Sequence, residues 1–340
     1  MEMVSKIKSI YSRMGDDLSK ECFKARLLYA MTGDYLEICR LASYTFPGIT
    51  IREKLKKYKE AKIFIWGAGT WGGIIRRSFP DIDWQGFIDS NPKEKEKQGL
   101  PVYSPDEFIK SSKNSFVLVS STDWHTQILE QLSELGFSME QVIDAGEMII
   151  DLFNCQYFDL PYLQHAENEI FVDAGCYDGS SVRNFIKWSQ GKYKAIFSSE
   201  PDIQCYKKCQ ETLRDVDNFY LEKRGLWSSQ TRLSFSAKGD STSKIVTGGE
   251  ESIQTVCLDD MVGDKKVTFI KMDIEGAEKE ALIGASKTIG NYKPKLAICI
   301  YHKPQDVWEI PGLILELNPK YRFYVRHYSL YDPETILYAV

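Results

Sequence analysis

The sequence of 340 residues lacks several features that mark common protein classes. Its formal net charge of -5 gives no basic surface for wrapping nucleic acid. Its eight cysteines contain no CxxC pair and no dense framework, so they are expected to be reduced. The sequence shows no apolar run near the roughly 20 residues of a membrane helix, and charge interrupts its first residues before a signal peptide can form. These absences favour a cytoplasmic protein with a small-molecule or carbohydrate partner, no nucleic acid and no membrane span. Whether the protein forms a homo-oligomer stays open.

Apolar spacing divides the chain into three predicted parts. Residues 1–60 show helical spacing and little β-branched alternation, which predicts a helical region. Residues 61–150 alternate between strand and helix patterns, which predicts a small Rossmann-like domain with a parallel sheet. Residues 151–340 begin with a connector, repeat the alternation and close with two strands joined by a short turn, an antiparallel pair. The predicted fold class is therefore α/β, with a C-terminal domain of the class I methyltransferase (Rossmann-like) outline.

The first of two glycine-rich loops, GAGTWGG, follows a predicted strand, at the edge where a doubly wound sheet binds its ligand. Gly67, Gly69 and Gly72 have GxGxxG spacing, and Asp89 ends the next strand, where an acid holds a ribose. A phosphate can lie on the helix N-terminus after Gly69, because no carboxylate competes there. This pattern predicts a second site, for a nucleotide or nucleotide sugar. A glycine turn used only for packing, with the neighbouring tryptophans filling the pocket, explains the loop equally well.

The second loop, VDAGCYDGSS, begins with Asp173 at the end of its strand. A carboxylate there repels a pyrophosphate but attracts the amino group and sulfonium of S-adenosylmethionine. Glu200 ends the following strand, where it can accept hydrogen bonds from both ribose hydroxyls. Two acids at successive strand ends are costly unless a cationic or hydroxylated ligand meets them, although a structural role stays open. The residues assigned to the donor site are Asp173, Gly175, Cys176, Asp178, Gly179, Glu200 and Pro201.

A base is needed if the methyl acceptor is a hydroxyl group. The segment VTFIKMDIEG places Asp273 and Glu275 at one strand end, with the spacing that points both side chains to one side. Of the four histidines, His302 alone ends a predicted central strand, so it is the candidate base; a structural role has about equal support. The same trio suits Mg²⁺ or Mn²⁺, but without an evident fourth ligand no metal is assigned. Lys271 and Tyr301 flank the trio and could orient substrate, but as alternating strand residues they are expected to pack outward.

Six segments follow one another in the second half of the chain: FVDAGCYDGSS, FSSEPD, TVCLDDM, FIKMDIEGAEKEAL, AICIYHKPQDVWEIP and YRFYVRHYS. Together they resemble the FkbM-type S-adenosylmethionine-dependent methyltransferases. The resemblance implies S-adenosylmethionine as cofactor and methyl transfer to a hydroxyl of a sugar, glycan or secondary metabolite. It places Asp173, Gly175 and Glu200 on donor-binding positions, and Asp273 and Glu275 on the acidic strand-end motif. The segment KRGLWSS shows no acid for the adenine amino group.

The segment GFIDSNPKEKEKQGLPVYSPDEF, in the first half, resembles the small Rossmann-like modules attached to sugar-modifying transferases. Two other functions stay open. An NAD-dependent oxidoreductase or epimerase could use the GAGTWG loop, although no Tyr-x-x-x-Lys proton relay is apparent. A non-catalytic protein that binds a nucleotide sugar is the other alternative. The leading hypothesis is an O-methyltransferase.

Overall fold

The computed structural model describes residues 2–58, 61–111, 115–248 and 251–340. The chain forms two compact units. The large unit consists of Met1–Met31, Cys155–Arg326 and Glu334–Val340. The small unit consists of Thr32–Asn154 and His327–Pro333. Among the described residues, no helix combines the length and the apolar character that crossing a bilayer requires.

Helices and strands alternate through most of the chain. The helices are α1 (Glu2–Ser12), α2 (Asp17–Thr32), α3 (Tyr35–Tyr44), α4 (Phe46–Lys56), α5 (Thr70–Ser78), α6 (Pro105–Ser111), α7 (His125–Glu134), α8 (Ala145–Cys155), α9 (Ser180–Trp188), α10 (Ile203–Thr212), α11 (Leu258–Val262), α12 (Glu278–Ile283), α13 (Ser286–Tyr292) and α14 (Asp306–Leu317). The strands are β1 (Ile63–Trp66), β2 (Trp84–Ile88), β3 (Glu96–Lys97), β4 (Leu100–Tyr103), β5 (Phe116–Val119), β6 (Val142–Asp144), β7 (Glu169–Ala174), β8 (Tyr193–Ser199), β9 (Phe219–Glu222), β10 (Gly225–Leu226), β11 (Arg232–Ser236), β12 (Lys244–Ile245), β13 (Glu251–Val256), β14 (Phe269–Met272), β15 (Lys295–Cys299), β16 (Phe323–His327) and β17 (Thr335–Ala339).

The main sheet of the large unit has the strand order β16-β17-β15-β14-β7-β8-β9. Strands β7, β8, β9, β14 and β15 pair in parallel, whereas β17 runs antiparallel to β15. Arg322 and Val340 exchange backbone hydrogen bonds, so β16 and β17 are the predicted antiparallel pair. A parallel sheet with one reversed strand is the class I methyltransferase fold, and the predicted fold class is confirmed.

The centre of this sheet is held by aromatic packing. Every residue of β7 is buried, as expected for a parallel strand covered on both faces. The ring of Phe171 in β7 stacks on Phe185 of α9, with centroids 4.2 Å apart. The chain continues from β7 to β8 on one side and returns to β14 on the other. The two sides diverge next to β7, which is where such sheets bind ligands.

The sheet of the small unit has the order β3-β4-β2-β1-β5-β6, and all its strands except β3 run parallel. Alternate residues of β1 pack on opposite faces: Ile65 belongs to one core cluster and Trp66 to another. This is the predicted Rossmann-like arrangement. Its strand order reverses between β1 and β5, which marks a second position where a ligand can bind.

Two parts of the fold differ from the sequence prediction because their strands are short. The charged, proline-containing sequence of residues 90–105 predicts a loop, but the segment contains β3 and β4, and β4 pairs with β2. The sequence FYLEKRGLW, residues 219–227, predicts one strand, but the segment divides into β9, in the main sheet, and β10. Strand β10 belongs to a separate four-stranded sheet of order β10-β13-β11-β12.

The compact units also differ from the predicted boundaries 1–60, 61–150 and 151–340. Helix α1 and nearly all of α2 belong to the large unit, whereas α3 and α4 belong to the small one. Helical spacing identifies an apolar face but does not say which sheet that face covers. The small unit also includes His327–Pro333, where the carbonyl of Leu330 accepts a hydrogen bond from Ser78 and the ring of Tyr331 packs on Trp71.

Candidate active site

A cleft lies at the carboxyl edge of the main sheet, beside β7 and β14. It is lined by residues that follow β7, β8, β14 and β15. The cleft contains about 810 Å³ of atom-free space, counting space open to solvent. The predicted site residues that line it are Gly175, Glu200, Pro201, Asp273 and Glu275.

The turn after β7 requires glycine at its first position. Gly175 has a φ of +78°, and a Cβ built on it would lie 2.0 Å from the carbonyl oxygen of Asp273. A side chain there would collide with the backbone after β14, so glycine lets the two strand ends approach each other closely. The backbone after β7 therefore forms one wall of the cleft.

Asp173 supports this turn from behind the cleft. Its side chain is fully buried, with Oδ1 3.1 Å from Nζ of Lys271, and Ser181 donates a hydrogen bond to Oδ2. Nζ of Lys271 also donates to the carbonyl oxygen of Gly175 at 2.6 Å. Asp173 was predicted to attract the donor's positive charge, but Lys271 neutralises its carboxylate within the protein.

The prediction that Lys271 packs outward is wrong, because its side chain is only 3% exposed. Strand β14 is covered on both faces, so alternation along it does not separate inside from outside. Burial alone would lower the pKa of Lys271, but the carboxylates of Asp173 and Asp273 outweigh it and raise the pKa above its usual value. The ion pair between Lys271 and Asp173 is therefore kept.

Three other predicted donor residues shape the turn. The thiol of Cys176 is buried, with Sγ 3.0 Å from Sγ of Cys209. Asp178 accepts a hydrogen bond from the backbone N–H of Ser180, and Gly179 caps α9 with a φ of +87°. The described residues that line the cleft do not include Cys176, Asp178 or Gly179.

Glu200 lines the cleft and is 7% exposed. Its Oε1 accepts a hydrogen bond from the backbone N–H of Asp202 at 2.9 Å, and its Oε2 accepts one from Tyr177 at 3.0 Å. Burial raises the pKa of Glu200 to about 7, although both hydrogen bonds act in the opposite direction. Each carboxylate oxygen can still accept a further hydrogen bond.

Asp273, Glu275 and His302 come together at the end of the cleft where β14 and β15 finish. Nε2 of His302 lies 3.4 Å from Oδ1 of Asp273 and 3.5 Å from Oε1 of Glu275. Nδ1 of His302 lies 2.9 Å from Oε1 of Glu278, which is fully buried at the start of α12. Glu275 has a φ of +55°, a conformation that is rare outside glycine and occurs often at functional sites.

Neighbouring carboxylates control the protonation of His302. Burial would lower its pKa, but Glu275, Glu278 and Asp273 outweigh burial and raise the pKa well above its usual value. Burial also acts to raise the pKa of Asp273, but the positive charges of Lys271 and His302 lower it below its usual value. At neutral pH this arrangement keeps a proton on His302, so the predicted base has to lose that proton before it can accept another.

Further residues around Asp273 were missed by sequence analysis. The hydroxyl of Tyr157 donates a hydrogen bond to Oδ2 of Asp273 at 2.7 Å. Tyr301, which was expected to pack outward, lines the cleft and donates to Oδ1 of Asp273 and to Glu334, both at 3.3 Å. Burial raises the pKa of Glu334 to about 7, and the nearby charge of Asp273 acts in the same direction.

The four-stranded sheet provides an apolar wall that sequence analysis also missed. The wall consists of Leu226, Phe235, Ile245 and Ile253. Asp240, between β11 and β12, lines the same part of the cleft. It is an acid of the kind that KRGLWSS lacks, and it comes from a segment with no strand pattern in the sequence.

Comparison with known proteins identifies the domain that carries this cleft. Residues 173–328 match the profile of the methyltransferase FkbM domain. These residues form an FkbM methyltransferase domain. The protein is therefore a methyltransferase, and this sets aside the non-catalytic alternative.

Two known proteins are similar to this methyltransferase, one in sequence and one in fold. The 2-O-methyltransferase NoeI of Sinorhizobium fredii (strain NBRC 101917 / NGR234) is 27% identical over 180 residues, which cover 45% of this chain and 72% of NoeI. The crystal structure of the methyltransferase FkbM from Methylobacillus flagellatus KT matches 95% of this chain and 99% of its own, with a TM-score of 0.53 and 19% identity. The second likeness shows a shared fold.

The methyltransferase has a second cleft in its small unit, at the carboxyl edge of β1 and β5. Four residues predicted for a second site line it: Gly67, Gly69, Gly72 and Asp89. A Cβ on Gly72 would lie 2.0 Å from the carbonyl oxygen of Gly67, whereas one on Gly69 would meet open space. Oδ2 of Asp89 accepts a hydrogen bond from the backbone N–H of Ala68 at 2.9 Å.

The tryptophans beside this loop of the methyltransferase leave the second cleft open. Trp66 is 1% exposed and belongs to the core, and Trp71 packs on Phe153 with ring centroids 6.0 Å apart. A third tryptophan, Trp124, lines the cleft with 64% of its surface exposed. An exposed indole at a cleft can stack on a planar or sugar ring.

Proposed function

We propose that the protein transfers a methyl group from S-adenosylmethionine to a hydroxyl group of a sugar, glycan or secondary metabolite. The observation that carries the proposal is the cleft beside β7, which leads from Glu200 to the trio of Asp273, Glu275 and His302. The name of NoeI, a 2-O-methyltransferase, supports a hydroxyl acceptor. The cytoplasmic location, the lack of a nucleic-acid partner and a homo-oligomeric state stay predictions of the sequence.

The donor is proposed to lie along the cleft. Glu200 accepts hydrogen bonds from the ribose hydroxyls, because each of its two oxygens can accept one more hydrogen bond. The apolar wall of the four-stranded sheet packs against adenine, with Asp240 available for the adenine amino group. The backbone around Gly175 lies against the methionine part, close to Asp273. This placement points the methyl group toward the trio.

The acceptor hydroxyl is proposed to meet Asp273, Glu275 and His302. Its oxygen attacks the methyl carbon, the new C–O bond forms as the S–CH₃ bond breaks, and the electron pair of that bond stays on sulfur as a neutral thioether. The hydroxyl proton must leave, and the trio promotes its loss. Holding the oxygen in line with the breaking bond lowers the barrier by removing orientational freedom beforehand.

Product analysis with a labelled donor tests this reaction directly. We expect the full-length protein to move a CD₃ group from labelled S-adenosylmethionine to an oxygen in some members of a panel of monosaccharides, oligosaccharides and hydroxylated metabolites. Mass spectrometry of fragments identifies the methylated atom. Transfer only to nitrogen or carbon would refute the hydroxyl acceptor.

Glu200→Gln is expected to weaken S-adenosylmethionine binding about 10- to 100-fold, because a hydrogen bond to a charged group contributes about 1.5–3 kcal/mol. Since the pKa of Glu200 is raised to about 7, the parent should also bind the donor more weakly as pH falls below 7, when protonation takes up one acceptor site. Calorimetry from pH 6 to 8 measures both effects. Glu211→Gln, at an exposed acid on α10, is the control. Undiminished affinity in Glu200→Gln would remove Glu200 from the site.

The small unit is proposed to bind a nucleotide or nucleotide sugar in the second cleft. Its position at the strand-order reversal, the open space beside Gly69 and the exposed indole of Trp124 support a ligand with a phosphate and a ring. Asp89 is placed at the end of β2 for a ribose. Such a ligand would carry or present the acceptor.

Fluorescence titration of the full-length protein tests the second cleft. UDP and UDP-glucose are expected to change tryptophan emission, and Trp124→Phe should remove most of that change, since Trp124 is the exposed one of the three tryptophans that line the cleft. Asp89→Asn should weaken binding about tenfold, equivalent to about 1.4 kcal/mol. If millimolar UDP and UDP-glucose both leave the tryptophan emission unchanged, a purely structural role for the GAGTWGG loop is favoured.

A further inference from the structure

The trio at the end of the cleft has the composition of a divalent-cation site. One candidate ligand atom from each of Asp273, Glu275 and His302 lies within 4.8 Å of the other two. Two ligand atoms that bind one ion at about 2.1 Å with octahedral geometry are roughly 3 Å apart, so the distances of 3.4 and 3.5 Å from Nε2 need little adjustment. Carboxylates suit Mg²⁺ and Mn²⁺, and two of the three groups are carboxylates.

His302 is buried among carboxylates and is not held by a well-directed hydrogen bond. Its side chain is 8% exposed, and neither ring nitrogen makes a hydrogen bond of acceptable geometry among the described residues. Nε2 points into the space between two carboxylates instead. Metal ligation requires the neutral imidazole, so a cation bound between these three groups would take the place of the proton on Nε2 and satisfy that nitrogen.

Glu278 occupies the position of an outer-sphere partner. Its Oε1 lies 2.9 Å from Nδ1 of His302 and also accepts a hydrogen bond from the backbone N–H of Ile274. Histidines that bind metals commonly present their second nitrogen to a carboxylate, which fixes the ring and the tautomer. Tyr157 and Tyr301 hold Asp273 in a similar way through their hydroxyl groups. The ligand side chains are thus oriented before any ion binds.

The surroundings leave room for an acceptor on such an ion. Asp273, Glu275 and Tyr301 line the cleft, so part of the coordination sphere faces the space available to substrate. Mg²⁺ and Mn²⁺ usually keep several positions for water or substrate oxygens when a protein supplies few ligands. The missing fourth protein ligand is therefore compatible with a site that holds a substrate.

We propose that Asp273, Glu275 and His302 bind one divalent cation of the Mg²⁺ or Mn²⁺ class, that Glu278 positions His302, and that the cation holds the acceptor oxygen. The inference rests on the proposed methyl transfer and explains how the trio promotes loss of the hydroxyl proton. A bound cation makes a hydroxyl more acidic, so its proton passes to water in the open cleft while the oxygen takes the methyl group.

Manganese binding to the full-length protein tests the proposal without any acceptor. After treatment with EDTA and its removal, the protein is titrated with Mn²⁺ while the electron paramagnetic resonance signal of free Mn²⁺ is followed. We expect one Mn²⁺ per chain, displaced by excess Mg²⁺. Glu275→Gln and His302→Ala should weaken binding at least tenfold. Glu211→Gln should not change it.

Glu278→Gln separates a positioning role from ligation. It should weaken Mn²⁺ binding about 10- to 100-fold while one site per chain remains, as found for outer-sphere partners of metal-binding histidines. Circular dichroism and thermal melting identify a variant that fails to fold, and Glu275→Gln then carries the test. Unchanged Mn²⁺ affinity in folded Glu275→Gln and His302→Ala would overturn the site.

Donor binding and product analysis distinguish failure of the cation site from failure of the proposed function. Full methyl transfer to a hydroxyl in EDTA, with no Mn²⁺ bound by the parent, would overturn the cation site and leave the O-methyltransferase intact. Mn²⁺ bound by the trio without methyl transfer to any hydroxyl would support the cation site and count against the hydroxyl acceptor. Activity that is lost in EDTA and restored by Mg²⁺ would support both.

Discussion

His302→Ala and Asp273→Asn are each expected to lower the rate of methyl transfer about 10²- to 10⁴-fold, the usual contribution of a positioned group that assists proton removal. Both side chains lie where β14 and β15 end, next to the proposed position of the methyl group. The donor is proposed to contact Glu200 and the apolar wall instead. The affinity for S-adenosylmethionine should therefore stay within a few-fold of the parent. Single-turnover kinetics and calorimetry measure the two quantities separately.

His165→Ala is the matched control for the histidine, because His165 lies in the connector before β7 and packs against the ring of Trp188. It should leave the rate of transfer near that of the parent. If His302→Ala and Asp273→Asn both keep rates within a few-fold of the parent, the trio has no part in the chemistry. A loss of donor affinity that matches the loss of rate would instead place these residues in the donor site.

Lys271→Met is expected to lower the free energy of unfolding by about 3–5 kcal/mol, the usual effect of removing one partner from a buried ion pair. Lys271 and Asp173 are 3% and 0% exposed, so water cannot solvate the carboxylate that remains. The substitution also removes the hydrogen bond to the carbonyl of Gly175. Chemical denaturation followed by circular dichroism measures the change, and S-adenosylmethionine binding should weaken because the turn loses support.

A double variant separates the charge from the packing. Asp173→Asn combined with Lys271→Met removes both charges, so the loss should be smaller than the sum of the two single losses. Lys20→Met, at an exposed pair with Asp17, should have little effect. Additive losses in the double variant would mean that the two side chains do not stabilise each other.

The positions of several site residues could be predicted because strand ends meet at one edge of a parallel sheet. That geometry is sufficient to bring Glu200, Asp273 and Glu275 to the same cleft and His302 next to Asp273, although they are far apart in the sequence. Gly175 could be predicted as well, since a turn this close to the next strand excludes a side chain. The fold class followed from the same alternation of strands and helices.

The partners of these residues could not be predicted. Alternation cannot place Lys271 on a strand with both faces buried, so the neutralisation of Asp173 was missed. Tyr157 and Glu334 come from the connector and from the turn before β17, and only tertiary folding brings them to Asp273. The apolar wall depends on strands as short as two residues, which leave no periodic pattern.

The small unit closes its core with a segment that is translated much later than the rest of it. Leu330 joins the core cluster that contains Ile65 and Ile75, and Tyr331 packs against it, yet Thr32–Asn154 is synthesised before all of Cys155–Arg326. Domains usually fold as units during synthesis. Here most of the small unit leaves the ribosome before Leu330 and Tyr331 are made, so the patch of its core that they cover still faces water. The nascent chain therefore passes through an interval in which this patch is available to chaperones, and slow translation of the intervening segment would lengthen that interval.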